Sequence, residues 1–214
     1  EGNYVSDTSN DGIHVTRMTN DTGSIMPFVV LNRAPEPMDE SNYYYAHILD
    51  NAVFGSDHNG IFVSGLDSAD IETNSVLFSG NNGIDVEAVY DSWISQNMVG
   101  MSRHDGIYVV GGEDRYSDMQ ETNMPVTISL LSHVYNTEIV DNFVGLSYNN
   151  GISAQYLNHA YIGRGEDEGS LLQGNYVLSS GNNGIAVGDV FDSQISYNHV
   201  GYFPSIPMGR GTTP

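Results

Sequence analysis

The chain has no cysteine and no lysine among its 214 residues, and a single tryptophan. The lack of cysteine excludes disulfides and thiolate metal sites. All six basic residues are arginine, and they face 27 Asp and Glu, for a formal charge of −21. A surface this acidic repels phosphate backbones, which excludes nucleic acid as a partner. No apolar run approaches the roughly 18 residues of a membrane span. Disorder is excluded as well, because 39% hydrophobic residues with 14 Tyr and 7 Phe can build a core.

What is present is a repeat. Gly-Ile recurs at Gly12, Gly60, Gly83, Gly106, Gly151 and Gly184, and an Asn stands nine residues before each Gly. These are Asn3, Asn51, Asn74, Asn97, Asn142 and Asn175, with Asn198 opening one more unit. The unit reads N-x-V-x-x-S-x-x-[ND]-G-I-x-V, closing on Ile48, Ile71, Ile94, Ile139, Ile162 or Ile195. The I-x-V pattern has period two, so Ile and Val face one side of a strand. No unit carries a helical stripe. A coil of 23 residues with three short strands cannot bury its own apolar face, but stacked coils can. Stacking places like residues in columns, and a column of buried Asn can satisfy its amides by bonding to the next Asn. Asn or Asp before each Gly suits a turn with φ > 0. With Val, Ile, Ser and Asn filling the interior, the acids are expected on the outer faces and in the inserts.

The N-G-I-x-V … I-x-x-N-x-V repeat covers nearly the whole chain and resembles the right-handed parallel β-helix, or pectin-lyase-like, superfamily. The resemblance implies an all-β, single-stranded parallel β-helix of six to seven coils. It does not fix an activity, since one fold hosts many functions. Asn81-Asn82-Gly83-Ile84-Asp85 with His104-Asp105-Gly106-Ile107 is superficially similar to a polygalacturonase signature, but the catalytic Asp positions fall on Asn82 and His104-Asp105, and the later motifs are missing. Polysaccharide lyases of this superfamily use a Lys or Arg base, often with Ca²⁺. Here Lys is absent, and Arg103 with His104 and Tyr108 is the nearest approach to a base cluster.

Irregular spacing locates three inserts, at about 16–44, 110–132 and 163–172, within a β-helix expected over 1–203 and followed by an irregular tail, 204–214. The two long ones read either as hairpin arms or as degenerate extra coils. As arms they would stand three coils apart, roughly 14 Å by strand spacing, around a trough floored by Phe62, Ser64, Asp85 and Glu87, with His14 and Tyr108 at its walls. Acids and aromatics in such a trough suit an extended sugar chain. Asp85 and Glu87 lie two residues apart on one strand face, so their carboxyls approach to about 6–7 Å, a pairing used for acid and base in glycoside hydrolysis. His58 and His104 occupy a column otherwise filled by Asn, where they read as turn hydrogen-bonders. Glu166-Asp167-Glu168 in a Gly-rich loop offers oxygens to Ca²⁺.

The sequence therefore reads as an extracellular or cell-surface, non-catalytic β-helix module, a rigid stalk or adhesin whose partner is a polysaccharide or cell-surface glycan. The alternative is a lyase, C5-epimerase or hydrolase acting on an acidic glycan, with Asp85, Glu87, Arg103, His104 and Tyr108 as candidate catalytic groups. A segment of a longer chain is expected, and open coil ends raise head-to-tail self-association.

Overall fold

A computed structural model describes residues 2–19, 25–28, 45–89, 91–111, 134–163, 174–190 and 192–201. These form strands and turns, with no helix among the described residues. Each repeat unit contributes one strand to each of three parallel sheets. Sheet S1 carries the Asn-x-Val segments: Tyr4–Thr8, Ala52–Ser56, Ser75–Ser79, Met98–Gly100, Phe143–Gly145, Tyr176–Leu178 and His199–Gly201. Sheet S2 carries the Ile-x-Val segments: Ile13–Thr19, Ile61–Ser64, Ile84–Glu87, Ile107–Val110, Ile152–Gln155 and Ile185–Gly188. Sheet S3 carries the closing Ile: Tyr45–Leu49, Ser68–Glu72, Asp91–Ser95, Glu138–Val140, Tyr161–Gly163 and Gln194–Ile195. The chain is a right-handed single-stranded parallel β-helix.

Register is set by the apolar columns. Val53 pairs with Val76, Ile61 with Ile84, and Ile71 with Ile94. Ile61, Ile84, Ile107, Ile152, Ile71, Ile94, Ile139 and Ile162 are fully buried, each worth roughly 1.5–3 kcal/mol of burial. A one-residue slip would turn every one of them outward. The rungs flanking the two long sequence intervals are direct neighbours: Val5 pairs with Val53, and Val99 with Val144. Neither interval adds a rung between them. The first begins as a hairpin, because Ile13–Thr19 runs past its rung and pairs antiparallel with Ile25–Phe28.

The Asn column sits at the S3–S1 corner. Asn97 Nδ2 donates to Asn142 Oδ1 at 3.0 Å and to the Ile71 carbonyl at 2.8 Å. Its Oδ1 accepts from the Asn74 backbone N–H and from Asn74 Nδ2, both at 3.0 Å. The same pattern links Asn51 to Asn74, Asn142 to Asn175, and Asn175 to Asn198. Four bonds saturate one buried amide.

Two expectations about the turns are corrected. The Gly of each Gly-Ile pair does not adopt positive φ; among the described glycines only Gly2, Gly55, Gly65 and Gly174 do. Gly is required there for space. A Cβ on Gly83 would meet the side chain of Val99 and come within 2.6 Å of the Gly106 carbonyl. Most left-handed conformations fall elsewhere, on the residue before each ladder Asn (Asp50, Thr73, Gln96, Asp141, Tyr197) and the fourth after it (Asp7, Phe78, Met101, Leu146, Ser179), with φ of 51° to 62°; Ala88, Asn136, Tyr156, His159, Asp189 and Asp192 hold the others outside glycine. Single αL residues bend the chain from one sheet to the next, and side chains are accepted there at a cost of about 1 kcal/mol each. The acids, too, are not confined to the outside. Asp105 and Asp141 are buried, and each accepts one backbone N–H from the next rung: Asp105 Oδ1 from Asn150 at 2.8 Å, Asp141 Oδ1 from Gly174 at 2.7 Å.

Candidate functional site

The outer face of S2 places His14, Phe62, Asp85, Tyr108 and Ser153 side by side on five successive rungs. They occupy the x of Ile-x-Val, so the strand that buries Ile and Val must turn them out. A second outer column, two residues further on, holds Ser64, Glu87, Val110 and Gln155. The rings of His14 and Phe62 lie 4.8 Å apart, and Phe62 and Tyr108 are half-buried on either side of Asp85.

Two members are covered, Ser153 at 1% and Asp85 at 4% exposed, and Asp85 is the carboxylic acid of the two. Its Oδ2 accepts from Asn82 Nδ2 at 2.9 Å, while Oδ1 is buried without a partner. Burial pushes the carboxyl up to about 6, with the nearby charges of Glu87 and Asp11 adding to the rise, against the opposing Asn82 bond and His58. A carboxyl of this kind keeps its proton to higher pH than an ordinary carboxyl and can donate it to an oxygen placed against it. Burial also raises the Tyr108 phenol, helped by the charges of Asp85 and Glu87.

Two trios built alike border the face, and sequence reasoning missed both. Asp11 Oδ2 lies 2.7 Å from His14 Nδ1, and its Oδ1 lies 3.1 Å from His58 Nδ1 on the next rung. The second trio occupies the next two rungs: Asn82 Nδ2 bonds Asp85, and Asn82 Oδ1 lies 3.2 Å from His104 Nδ1. In each, the residue before Gly joins the outer residue three positions on to a histidine of the following rung. His58 and His104 thus hold the place that Asn81 and Asn149 take elsewhere, where Asn81 Nδ2 bonds Asn59 Oδ1 at 3.0 Å and Asn149 Nδ2 bonds Asp105 Oδ1 at 2.8 Å. The signal in the sequence was the shared column of His and Asn.

The suggested base cluster is not gathered. His104 turns to Asn82, and Tyr108 stands beside Asp85. Arg103 lines a shallow pocket at the edge of S1 with Asp7, Asp57, Phe78 and Met101. Glu166, Asp167 and Glu168 lie outside the described residues, as do most of the three inserts and the tail. Among the described residues, no group of three or more His, Asp or Glu is placed to share a metal ion. Compared with protein-family models, with curated proteins and with solved structures, the chain gives no match.

Proposed function

We propose that this chain is a β-helix module of the pectin-lyase-like superfamily, displayed on a cell surface or secreted, that holds a glycan chain along the outer face of S2. The observation that carries the proposal is the Phe62–Asp85–Tyr108 series on three consecutive rungs. Rungs follow each other at about 4.8 Å, close to the length of one sugar residue in an extended chain. Two rings can pack on sugar faces, one on each side of the buried Asp85. Aromatic bodies with a few polar groups are what a binding site for such a ligand needs. Glycan-array binding followed by calorimetry on the best ligand tests this. Phe62→Ala and Tyr108→Ala should each weaken binding about tenfold, the size of an interface hot spot. Binding unchanged in both variants, or none to any glycan, overturns it.

A second reading, favoured by the raised carboxyl of Asp85, makes the same face catalytic, with Asp85 as the proton donor and Glu87 as the second carboxyl on a glycan substrate. The binding role stands first because the chain has no lysine to serve as a lyase base, and an arginine is not deprotonated in an ordinary site. Incubation with alginate, pectate and neutral polymers, with and without Ca²⁺, decides between them. Unsaturated-product absorbance, reducing ends and proton NMR together cover lyase, hydrolase and epimerase; any product puts the enzyme first.

A further inference from the structure

Sheet S3 presents its own outer column, and that column alternates. The residue before the first five closing Ile is His47, Asp70, Trp93, Glu138 and Tyr161, paired rung to rung in that order, and Gln194 ends the series on the sixth rung. Ring, carboxyl, ring, carboxyl, ring therefore follow along the axis on five successive rungs. The first carboxyl is held in place: Tyr45 Oη donates to Asp70 Oδ2, which also lies 3.1 Å from His47 Nδ1, and the Tyr45 and His47 rings meet edge to face at 4.2 Å. Both Asp70 Oδ1 and His47 Nε2 are left to meet a ligand. The rings are half-buried.

We propose that this column is a second glycan-binding face, on a different sheet from the site above, and that its ligand is a neutral β-1,4-linked glycan. The period decides the class. Like groups recur every second rung, about 10 Å by strand spacing. In an extended β-1,4-linked chain successive sugars are flipped, so the same face returns once per disaccharide, over a similar length. Every second sugar then meets a ring, and the hydroxyls between meet Asp70 and Glu138. From His47 to Tyr161 the column spans roughly 19 Å, the length of about four sugars. Charge excludes the polyanionic alternatives, since the column adds two carboxylates to a chain of net −21.

Trp93 is the only tryptophan of the chain, so its emission reports this face directly. The test titrates the full chain with cellohexaose, mannohexaose and N-acetylchitohexaose, with oligogalacturonate as the polyanionic comparison. At least one neutral hexaose should shift or quench Trp93 emission saturably. Tyr161→Ala should weaken that ligand about tenfold, and Tyr161→Phe should retain it. Phe62→Ala, on S2, should leave the titration unchanged, which separates failure here from failure of the S2 site. Should Tyr161→Ala not fold, His47→Ala at the other end carries the same expectation. No saturable change with any neutral hexaose, tighter binding of oligogalacturonate, or full affinity in the ring-deletion variant overturns the proposal.

Discussion

Removing one amide from the middle of the Asn column tests the central structural claim, that the column is a continuous hydrogen-bonded ladder. Asn97 is 1% exposed and makes four bonds through its side chain, to Asn74 twice, to Ile71 and to Asn142. Asn97→Ala strands the Asn74 backbone N–H, one Asn74 amide hydrogen and the Ile71 carbonyl. Each buried orphan costs about 1–3 kcal/mol, and water entering the small void offsets part of it, which leaves about 4 kcal/mol. At this chain length that is a fall of roughly 10–15 °C in Tm. Asn3 is the control. It is exposed, and its side chain only donates, to Asn51 Oδ1 at 3.0 Å, so Asn3→Ala should cost under about 1 kcal/mol. Asn97→Asp sharpens the test. It keeps an acceptor for Asn74 but sets a second oxygen against the Ile71 carbonyl and Asn142 Oδ1, so at neutral pH it should be at least as destabilising as alanine. Urea unfolding followed by circular dichroism reads all three, compared by midpoint at constant slope. If Asn97→Ala and Asn3→Ala cost the same, the ladder contributes nothing that an isolated turn would not.

Glycine at the S1–S2 corner should be irreplaceable for lack of space: Gly83→Ala is expected to lose 3 kcal/mol or more, at the upper end of about 1–3 for overpacking, while Gly188→Ala, whose Cβ would meet nothing nearer than 4.0 Å, should be near neutral. Equal urea midpoints for the two would refute the packing argument. Asp85 should make stability depend on pH. Its folded carboxyl titrates at about 6 against an ordinary 3.8, so between those values the folded chain keeps a proton that the unfolded chain has lost, and stability falls as pH rises through that window. Above pH 6 the whole cost is in force, up to about 3 kcal/mol. Asp85→Asn should therefore raise the urea midpoint at pH 7.5 and change it little at pH 4; an equal shift at both would show that Asp85 is not a desolvated acid. His58→Asn and His104→Asn should fold with stabilities within about 0.5 kcal/mol of the parent, as surface substitutions do, because Asn makes the same bond at Asn81 and Asn149. A loss of several kcal/mol in thermal melts would assign the imidazoles a further role.

The fold was legible because its determinants repeat. Ile at the position after Gly and Val two residues later can only be buried by stacking, and the Asn column carried its own hydrogen-bond logic. The turns were misread for a physical reason. Asx-Gly is a strong signal for φ > 0 in isolated turns, yet here close approach of Val99 and the Gly106 carbonyl, not dihedral freedom, demands Gly83. Many of the true αL positions are held by residues such as Thr73, Gln96, Phe78, Met101 and Leu146, which are not the Gly, Asn or Asp that favour this conformation. The buried carboxyls escaped notice similarly. Asp105 reads as one acid among 27 until the next rung's backbone N–H is placed upon it.

The candidate sites were less legible, because their chemistry is written across the repeat and not along it. Trp93 and Glu138 are 45 residues apart in the chain and neighbours in S3, and Phe62 and Asp85 are 23 apart and neighbours in S2. A motif search reads along the chain, so it finds the positions the fold constrains: Asn, Val, Gly, Ile. Those columns are occupied by packing and hydrogen bonding and have little freedom to carry chemistry. The outer columns have that freedom. Between Ile and Val, S2 carries His14, Phe62, Asp85, Tyr108 and Ser153, which share no residue type from rung to rung. Before the closing Ile, S3 alternates ring and carboxyl over five rungs. In a stacked coil, departure from the repeat on an outward position is the place to look for function, and the axial order of those departures gives the spacing a ligand must match.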